Sequence, residues 1–118
     1  MAAPNLISAT SIIGRTNVEW VSNAAAAVLT NPVSSNQSLR INVLFLTNLT
    51  GNDVTVTVDL YRSSVSYKIF YDVPVTPKSP LVAIGKDTSI YLEEGDSLRI
   101  QASQPGMVQY CVSYEVMS

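Results

Sequence analysis

Residues 81–118 read LVAIGKDTSIYLEEGDSLRIQASQPGMVQYCVSYEVMS, and this stretch decides the fold class. Two runs typical of β-strands, residues 89–93 and 97–103, flank a tight turn at residues 94–96. A third run covers residues 107–116, where apolar and polar side chains alternate. Its apolar members are Val108, Tyr110, Val112, Tyr114 and Val116. Because successive side chains of a strand point to opposite faces, this pattern predicts a strand with one buried face.

Two runs in the middle of the chain show the same alternation. Residues 54–60 (VTVTVDL) predict a strand whose valines point inward. Residues 39–47 (LRINVLFLT) predict a strand that is covered on both sides, because both of its faces are partly apolar. Strict alternation in this second run puts four side chains on one face, namely Leu39, Ile41, Val43 and Phe45.

Glycines and prolines predict where strands stop. A first strand is expected at residues 3–13, with Gly14 and Arg15 breaking it, and a short second strand at residues 16–21. Residues 24–30 predict another short strand, because one turn of alanine-rich helix would be marginal. Pro74, Pro77 and Pro80 predict an extended surface loop between residues 73 and 81, since proline cannot donate to a strand ladder.

Together these runs predict an all-β fold without a convincing helix. About eight or nine short antiparallel strands, separated by closely spaced turns, are typical of a β-sandwich. We therefore expect residues 1–118 to form a single β-sandwich domain with a jelly-roll-like arrangement. Residues 1–10 contain Pro4 and are expected to form an N-terminal arm or an edge strand.

Composition excludes most enzyme and nucleic-acid classes. The chain has no histidine, which removes the usual nucleophile activation and the commonest zinc ligand. Its one cysteine, Cys111, excludes an internal disulfide and the spaced cysteines of a zinc site. The seven basic residues are scattered and form no phosphate-binding stripe. We therefore expect no catalysis, no cofactor, no small-molecule substrate and no nucleic-acid partner.

No segment is typical of membrane insertion or export. The opening residues, MAAPN, lack the basic and apolar regions of a secretory signal. No apolar run approaches the roughly 20 residues of a membrane span. The sequence predicts a protein that is made in a reducing cytoplasm and has no membrane partner.

The acidic turn at Glu93, Glu94 and Asp96 is a candidate for calcium, which binds several oxygen ligands. Its spacing does not match a DxDxDG loop, and adjacent glutamates in a hairpin point to opposite faces. The favoured interpretation is a solvated turn. The same geometry argues against a catalytic carboxylate pair, which must face one cleft.

Aromatic side chains are the candidate contacts with a partner. Tyr67 and Tyr71 are expected to share an exposed face of one strand and to contact another protein. Trp20 and Phe70 are expected in the core. The N-terminal arm adds four candidate partner-contact residues, since an arm can add a strand to a neighbour's sheet. These are Pro4, Asn5, Leu6 and Ile7.

Nearly the whole chain resembles a family of small virion structural proteins from tailed bacteriophages, especially those of marine and cyanobacterial hosts. The resemblance is carried by MAAPNLISATSIIGRT at residues 1–16 and LRINVLFLTN at residues 39–48. It is strongest in IGKDTSIYLEEGDSLRIQAS at residues 84–103 and in QYCVSYEVMS at residues 109–118. Residues 63–80, with their aromatics and prolines, depart from the family pattern and form a local elaboration.

The resemblance implies a non-enzymatic β protein of the phage particle. One expected role is a capsid decoration, or cement, protein on the head, which bridges major capsid proteins and neighbouring copies of itself as a dimer or trimer. An alternative is a neck or tail adaptor, collar or fibre-base subunit. A second alternative is a carbohydrate-binding module for host attachment, which would need Tyr67 and Tyr71 on one flat exposed face.

Overall fold

The C-terminal strand and the strand of residues 38–48 lie side by side at the centre of one sheet. The structure is a computed structural model and describes residues 11–85 and 89–118. In this part of the chain every regular element is a strand. The strands are β1 (Ile12–Trp20), β2 (Ala26–Thr30), β3 (Ser38–Asn48), β4 (Val54–Arg62), β5 (Val65–Val75), β6 (Pro80–Ile84), β7 (Ile90–Leu92), β8 (Ser97–Ala102) and β9 (Val108–Met117).

These strands form two antiparallel sheets. The first sheet has the order β1-β9-β3-β6, with β7 also pairing to β3 beyond the end of β6. The second sheet has the order β2-β8-β4-β5. The chain crosses between the sheets repeatedly, and β6 and β7 together occupy one edge position beside β3. This is the strand order of a jelly roll, so the predicted all-β sandwich is confirmed.

The predicted alternation of β9 and β4 defines the core between the sheets. Val108, Tyr110, Val112 and Tyr114 of β9 are buried, as are Val54, Val56 and Val58 of β4. They pack with Leu92, Leu98 and Ile100 into one cluster of buried apolar side chains. Burial of apolar surface in this cluster is the main force that holds the two sheets together.

The predicted face of β3 is wrong after its midpoint. The pairing of β3 with β9 shifts register between Ile41 and Val43, which marks a β-bulge at Asn42. A bulge inserts one extra residue, so the side chains beyond it change faces. Leu39 and Ile41 point inward as expected, but beyond the bulge Leu44 and Leu46 are the buried residues and Phe45 is exposed.

The predicted break at Gly14 and Arg15 is also wrong. Strand β1 runs through both residues and pairs with β9 along its whole length. Because β1 lies at the end of its sheet and its side chains are mostly exposed, Gly14 has no packing partner to lose. The predicted strand at residues 3–13 lies mostly outside the described residues.

The predicted proline loop is much shorter than expected. Strand β5 continues to Val75 with Pro74 opposite Thr55, and β6 begins at Pro80 opposite Thr47. Only residues 76–79 connect the two strands. Both strands lie at sheet edges, where a proline's missing N–H can face away from the ladder.

Two buried asparagines, Asn31 and Asn48, form hydrogen bonds with the connecting segments at the two ends of β3. The Asn31 amide donates to the carbonyls of Gln37 and Leu92 at 2.9 Å each. The Asn48 amide donates to the carbonyl of Asn52 at 2.7 Å, and its side-chain oxygen accepts from the N–H and hydroxyl of Thr50. These bonds satisfy buried polar groups at both ends of β3 and fix its position.

Candidate interaction surfaces

The outer face of the first sheet carries an apolar row that crosses four of its five strands, β1, β9, β3 and β6. In the β-sheet register Val18 lies opposite Cys111, Cys111 opposite Phe45, and Phe45 opposite Val82. We call Val18, Cys111, Phe45 and Val82 the apolar row. Val18 is 69% exposed, Phe45 41% and Val82 55%. Side chains directly opposite each other on neighbouring strands are in contact distance, so the row forms one continuous exposed apolar band.

Trp20 extends this band at the end of β1. It is 46% exposed, so the prediction that it lies in the core is wrong. Together with Val18, Gln109 and Cys111 it lines a shallow depression. Phe70, the other aromatic expected in the core, is half-buried and packs against the core cluster. Trp20 therefore belongs to the outer surface, whereas Phe70 contributes to the interior.

Cys111 lies in the middle of the apolar row. Its thiol is free and half-buried between Val18 and Phe45. The prediction that it faces away from the β9 tyrosines is confirmed by the alternation of burial along β9. In this position the thiol is a small apolar contact of the row.

The outer face of the second sheet is polar instead. Asp59 is only 2% exposed although it lies on this face. Arg99 of β8 donates two hydrogen bonds to its carboxylate, at 2.8 and 3.0 Å. On the other side Ser66 donates at 2.8 Å, and the Lys68 ammonium lies 3.5 Å away. The Arg99 guanidinium also lies over the Tyr61 ring, 4.1 Å from its centre.

These contacts govern the charge of Asp59. Burial alone would raise the pKa of its carboxyl group. The hydrogen bonds from Arg99 and Ser66 and the charges of Arg99 and Lys68 outweigh burial and hold the pKa below its ordinary value of 3.8. This face therefore satisfies its own polar groups, which distinguishes it from the apolar row.

A pH dependence follows from the lowered pKa of Asp59. A carboxyl group whose pKa is lowered by folding stabilises the protein above its ordinary pKa, and this contribution disappears as the pH falls through the folded-state value. We expect wild type to be more stable than Asp59→Asn at neutral pH. The difference in free energy of unfolding should shrink as the pH falls below 3.8. Urea denaturation across that range measures it, and a constant difference would contradict the assignment.

Tyr67 and Tyr71 are both exposed but do not share a face. β5 changes register twice against β4, between residues 56 and 58 and between residues 58 and 59 of β4. Tyr67 lies opposite Leu60, on the side of the sheet that faces the core. Tyr71 lines a groove on the outer face with Thr57 and Lys68. The predicted flat tyrosine surface is therefore wrong, because the bulges rotate the strand between the two residues.

The acidic turn is not simply solvated. Asp96 is buried, and Arg62 donates to both of its carboxylate oxygens at 2.8 and 2.6 Å. Asp96 also accepts the N–H of Glu93 at 2.8 Å, which closes the turn. Asp96 is thus a structural carboxylate that ties the turn to β4. Among the described residues no group of three or more acidic, histidine or cysteine side chains could hold a metal ion.

The four partner-contact residues predicted in the N-terminal arm cannot be placed on a surface. Pro4, Asn5, Leu6 and Ile7 lie outside the described residues. In the part of the chain that the structure describes, no helix is long and apolar enough to cross a membrane. The apolar row was missed by sequence reasoning because the bulge at Asn42 reverses the face on which Phe45 lies.

Comparisons with known proteins show the fold but not a family. The sequence matches no protein-family model and no curated protein, so the resemblance to phage virion proteins stays a prediction. A solved structure described as "Bacillus endospore appendages form a novel family of disulfide-linked pili" is similar in fold, with a TM-score of 0.54. It is 14% identical in sequence, and the match covers 99% of this chain and 96% of that chain. This chain therefore has an all-β sandwich fold that also occurs in a subunit of a pilus.

Proposed function

We propose that this chain is a non-enzymatic structural subunit that works by protein–protein contact, and that its assembly is a phage particle, as a decoration protein of the head. The observation that carries the proposal is the apolar row on the outer face of the first sheet. A continuous exposed apolar band on a small domain is typical of a surface that is covered by another protein. Its partners in this proposal are the major capsid protein and neighbouring copies of the chain.

The contrast between the two outer faces supports this proposal. On the second sheet, Arg99 donates hydrogen bonds to the Asp59 carboxylate and Lys68 forms an ion pair with it. The first sheet leaves Val18, Phe45 and Val82 exposed on neighbouring strands. The quoted sequence resemblance points to virion proteins, and the fold likeness is to a subunit of another multi-copy structure. The likeness in fold alone does not carry function, and the surface chemistry is the stronger argument.

The copy number per particle tests the proposal. Particles purified from cells that express the chain are digested, and the chain is quantified by mass spectrometry against the major capsid protein. Hundreds of copies per particle would support decoration of the head. About a dozen copies would overturn the head assignment in favour of the neck, collar or tail. Absence from purified particles would overturn the virion proposal altogether.

The apolar row predicts which face binds. Val82→Glu places a charge in the row, and we expect particle occupancy to fall at least tenfold because an unpaired charge would be buried on docking. Gln101→Glu adds the same charge to the outer face of the second sheet and should leave occupancy unchanged. Both proteins should stay folded, and Gln101→Glu should lose only the exposed hydrogen bond from Gln101 to the Asn23 carbonyl. Equal occupancy of the two variants would show that the row is not the docking face.

A subunit of a surface filament is the second candidate, and it is favoured by the fold likeness to a pilus subunit. Negative-stain electron microscopy of the purified chain tests it, since ordered filaments without particles would favour this candidate over decoration. The carbohydrate-binding alternative loses its basis, because Tyr67 and Tyr71 lie on opposite sides of β5.

A further inference from the structure

Of the strands that the structure describes, β1 has the longest open edge in the first sheet. Within residues 11–85 and 89–118 no strand pairs with β1 on the side away from β9. All of its residues except Asn17 are exposed. Natural proteins protect long edge strands with proline, bulges, short length or charged side chains, because such edges accept another strand. β1 has no proline and no bulge against β9, and its two charged residues, Arg15 and Glu19, lie opposite the buried Tyr114 and Tyr110 on the inward side of the sheet. Such charges disfavour a partner strand unless that strand places the opposite charge beside each of them.

The hydrogen bonds to β9 fix which backbone groups of β1 are free. Ser11 exchanges two hydrogen bonds with Ser118 at 3.0 Å each, and Val21 donates to Val108 at 2.8 Å. In an antiparallel ladder, bonded and non-bonded pairs alternate. The odd-numbered residues of β1 therefore bond to β9. The N–H and C=O groups of the even-numbered residues, Ile12, Gly14, Thr16, Val18 and Trp20, point to the open edge.

One of these outward N–H groups donates to a side chain of β1 itself. The N–H of Trp20 donates to the carboxylate of the preceding Glu19 at 3.0 Å, in an exposed position. Neither Glu19 nor Arg15 belongs to an ion pair among the described residues. β1 thus carries one arginine outside the ion pairs of the described residues and one glutamate whose carboxylate accepts the N–H of the following Trp20.

We infer that two copies of this chain pair through β1, antiparallel, about a two-fold axis at Asn17. This deepens the proposed function by naming the partner at one edge. Strands must pair even-numbered residues with even-numbered ones, so a two-fold axis passes through a residue. An axis at Asn17 places Arg15 opposite Glu19 of the second copy, and does so twice. Opposite charges directly across two strands stabilise the pair.

Neighbouring registers lack this complementarity. An axis at Thr16 places Glu19 opposite an apolar residue, and an axis at Val18 places it opposite Asn17. An axis at Arg15 places two arginines opposite each other, which is destabilising. Only the axis at Asn17 pairs both charges.

The axis at Asn17 also gives compatible side-chain pairs on the outer face of the sheet and complete backbone hydrogen bonds between the two copies. Trp20 lies opposite Gly14 of the second copy, so the large ring covers the residue that has no side chain. Val18 lies opposite Thr16 of the second copy. Each of these pairs exchanges two backbone hydrogen bonds. The Trp20 N–H then bonds a carbonyl of the second copy, which releases the Glu19 carboxylate to pair with Arg15.

The resulting dimer joins two copies of the first sheet into one continuous sheet. Residues opposite each other in a sheet point to the same face, so both apolar rows lie on one side of the dimer. Such a two-fold interface uses the same patch on both copies and closes at two. A doubled apolar face is the form in which the chain would dock onto a larger assembly.

Charge exchange tests the dimer. Sedimentation velocity over a range of concentrations gives the dimer dissociation constant for wild type, Arg15→Glu, Glu19→Arg and the double exchange. Each single variant should raise that constant at least tenfold, because like charges then face each other twice. The double variant should return to within about threefold of wild type. Lys78→Glu, in the turn between β5 and β6, makes the same charge change as Arg15→Glu and should leave the dissociation constant unchanged.

Two further variants test the edge and the register. Thr16→Pro removes an outward N–H but no bond to β9, so it should give a folded monomer. In a Cys111→Ser background, Asn17→Cys should form a disulfide dimer on mild oxidation, because residue 17 faces itself at about 4.5 Å between Cα atoms. Thr16→Cys and Val18→Cys should cross-link at least tenfold less. Circular dichroism confirms that each variant is folded.

Several outcomes would overturn the inference. A wild-type chain that sediments as a monomer at every concentration excludes the β1 dimer. A dimer that is unaffected by Arg15→Glu, or that cross-links best at residue 16 or 18, excludes this register. The proposed function fails independently, since particle copy number is measured on purified virions and does not depend on the state of the free chain.

Discussion

Arg99→Met is expected to lower the free energy of unfolding by about 3 kcal/mol, near the lower end of the cost of breaking a buried ion pair. The variant keeps an unbranched apolar stem but leaves the Asp59 carboxylate, 2% exposed, without its two guanidinium hydrogen bonds. Lys68 and Ser66 remain as partners and limit the loss. Urea denaturation at neutral pH measures the change.

A matched variant shows how much of the loss of stability depends on burial of the ion pair. Arg40→Met removes another arginine of a central strand pair, but its contact with Glu115 is 3.8 Å long and both side chains are about one-third exposed. Partly exposed pairs contribute about 0–1 kcal/mol. The double variant Asp59→Leu/Arg99→Met should recover most of the loss, because no charge is left buried. Equal effects of the two arginine variants would contradict the role assigned to Asp59.

The sequence predicts a strand well where burial of alternate side chains is the only pattern that the residues must satisfy. β9 and β4 alternate without a bulge, so burial of one face gives a period of two that survives in the sequence. The strand order could not be predicted. Nothing in residues 12–20 indicates that β1 pairs with β9, because that pairing is made of backbone hydrogen bonds that any residue can form.

The candidate surfaces depend on features that leave weak traces in the sequence. A bulge at Asn42 exposes Phe45, and register shifts in β5 separate Tyr67 from Tyr71. The sequence of β3 does contain a hint, since Leu39 and Ile41 are two apart and Leu44 and Leu46 are two apart, with an extra residue between the pairs. The partners of Asp59 leave no trace in the sequence, because Arg99 and Lys68 come to its two sides only through the pairing of β4 with β8 and β5.

Leu44→Ala is expected to cost about 3 kcal/mol of stability, whereas its neighbour Phe45→Ala should cost less than about 1 kcal/mol. Leu44 is fully buried between the sheets, so truncation leaves a cavity that the β3–β9 pairing prevents from collapsing. Phe45 lies on the exposed apolar row, and its loss should instead weaken docking to the partner. Strict alternation from Leu39 predicts the reverse order of these two effects. Thermal and urea denaturation of the two variants therefore test the bulge at Asn42 directly, and a larger loss for Phe45→Ala would show that β3 keeps one phase throughout.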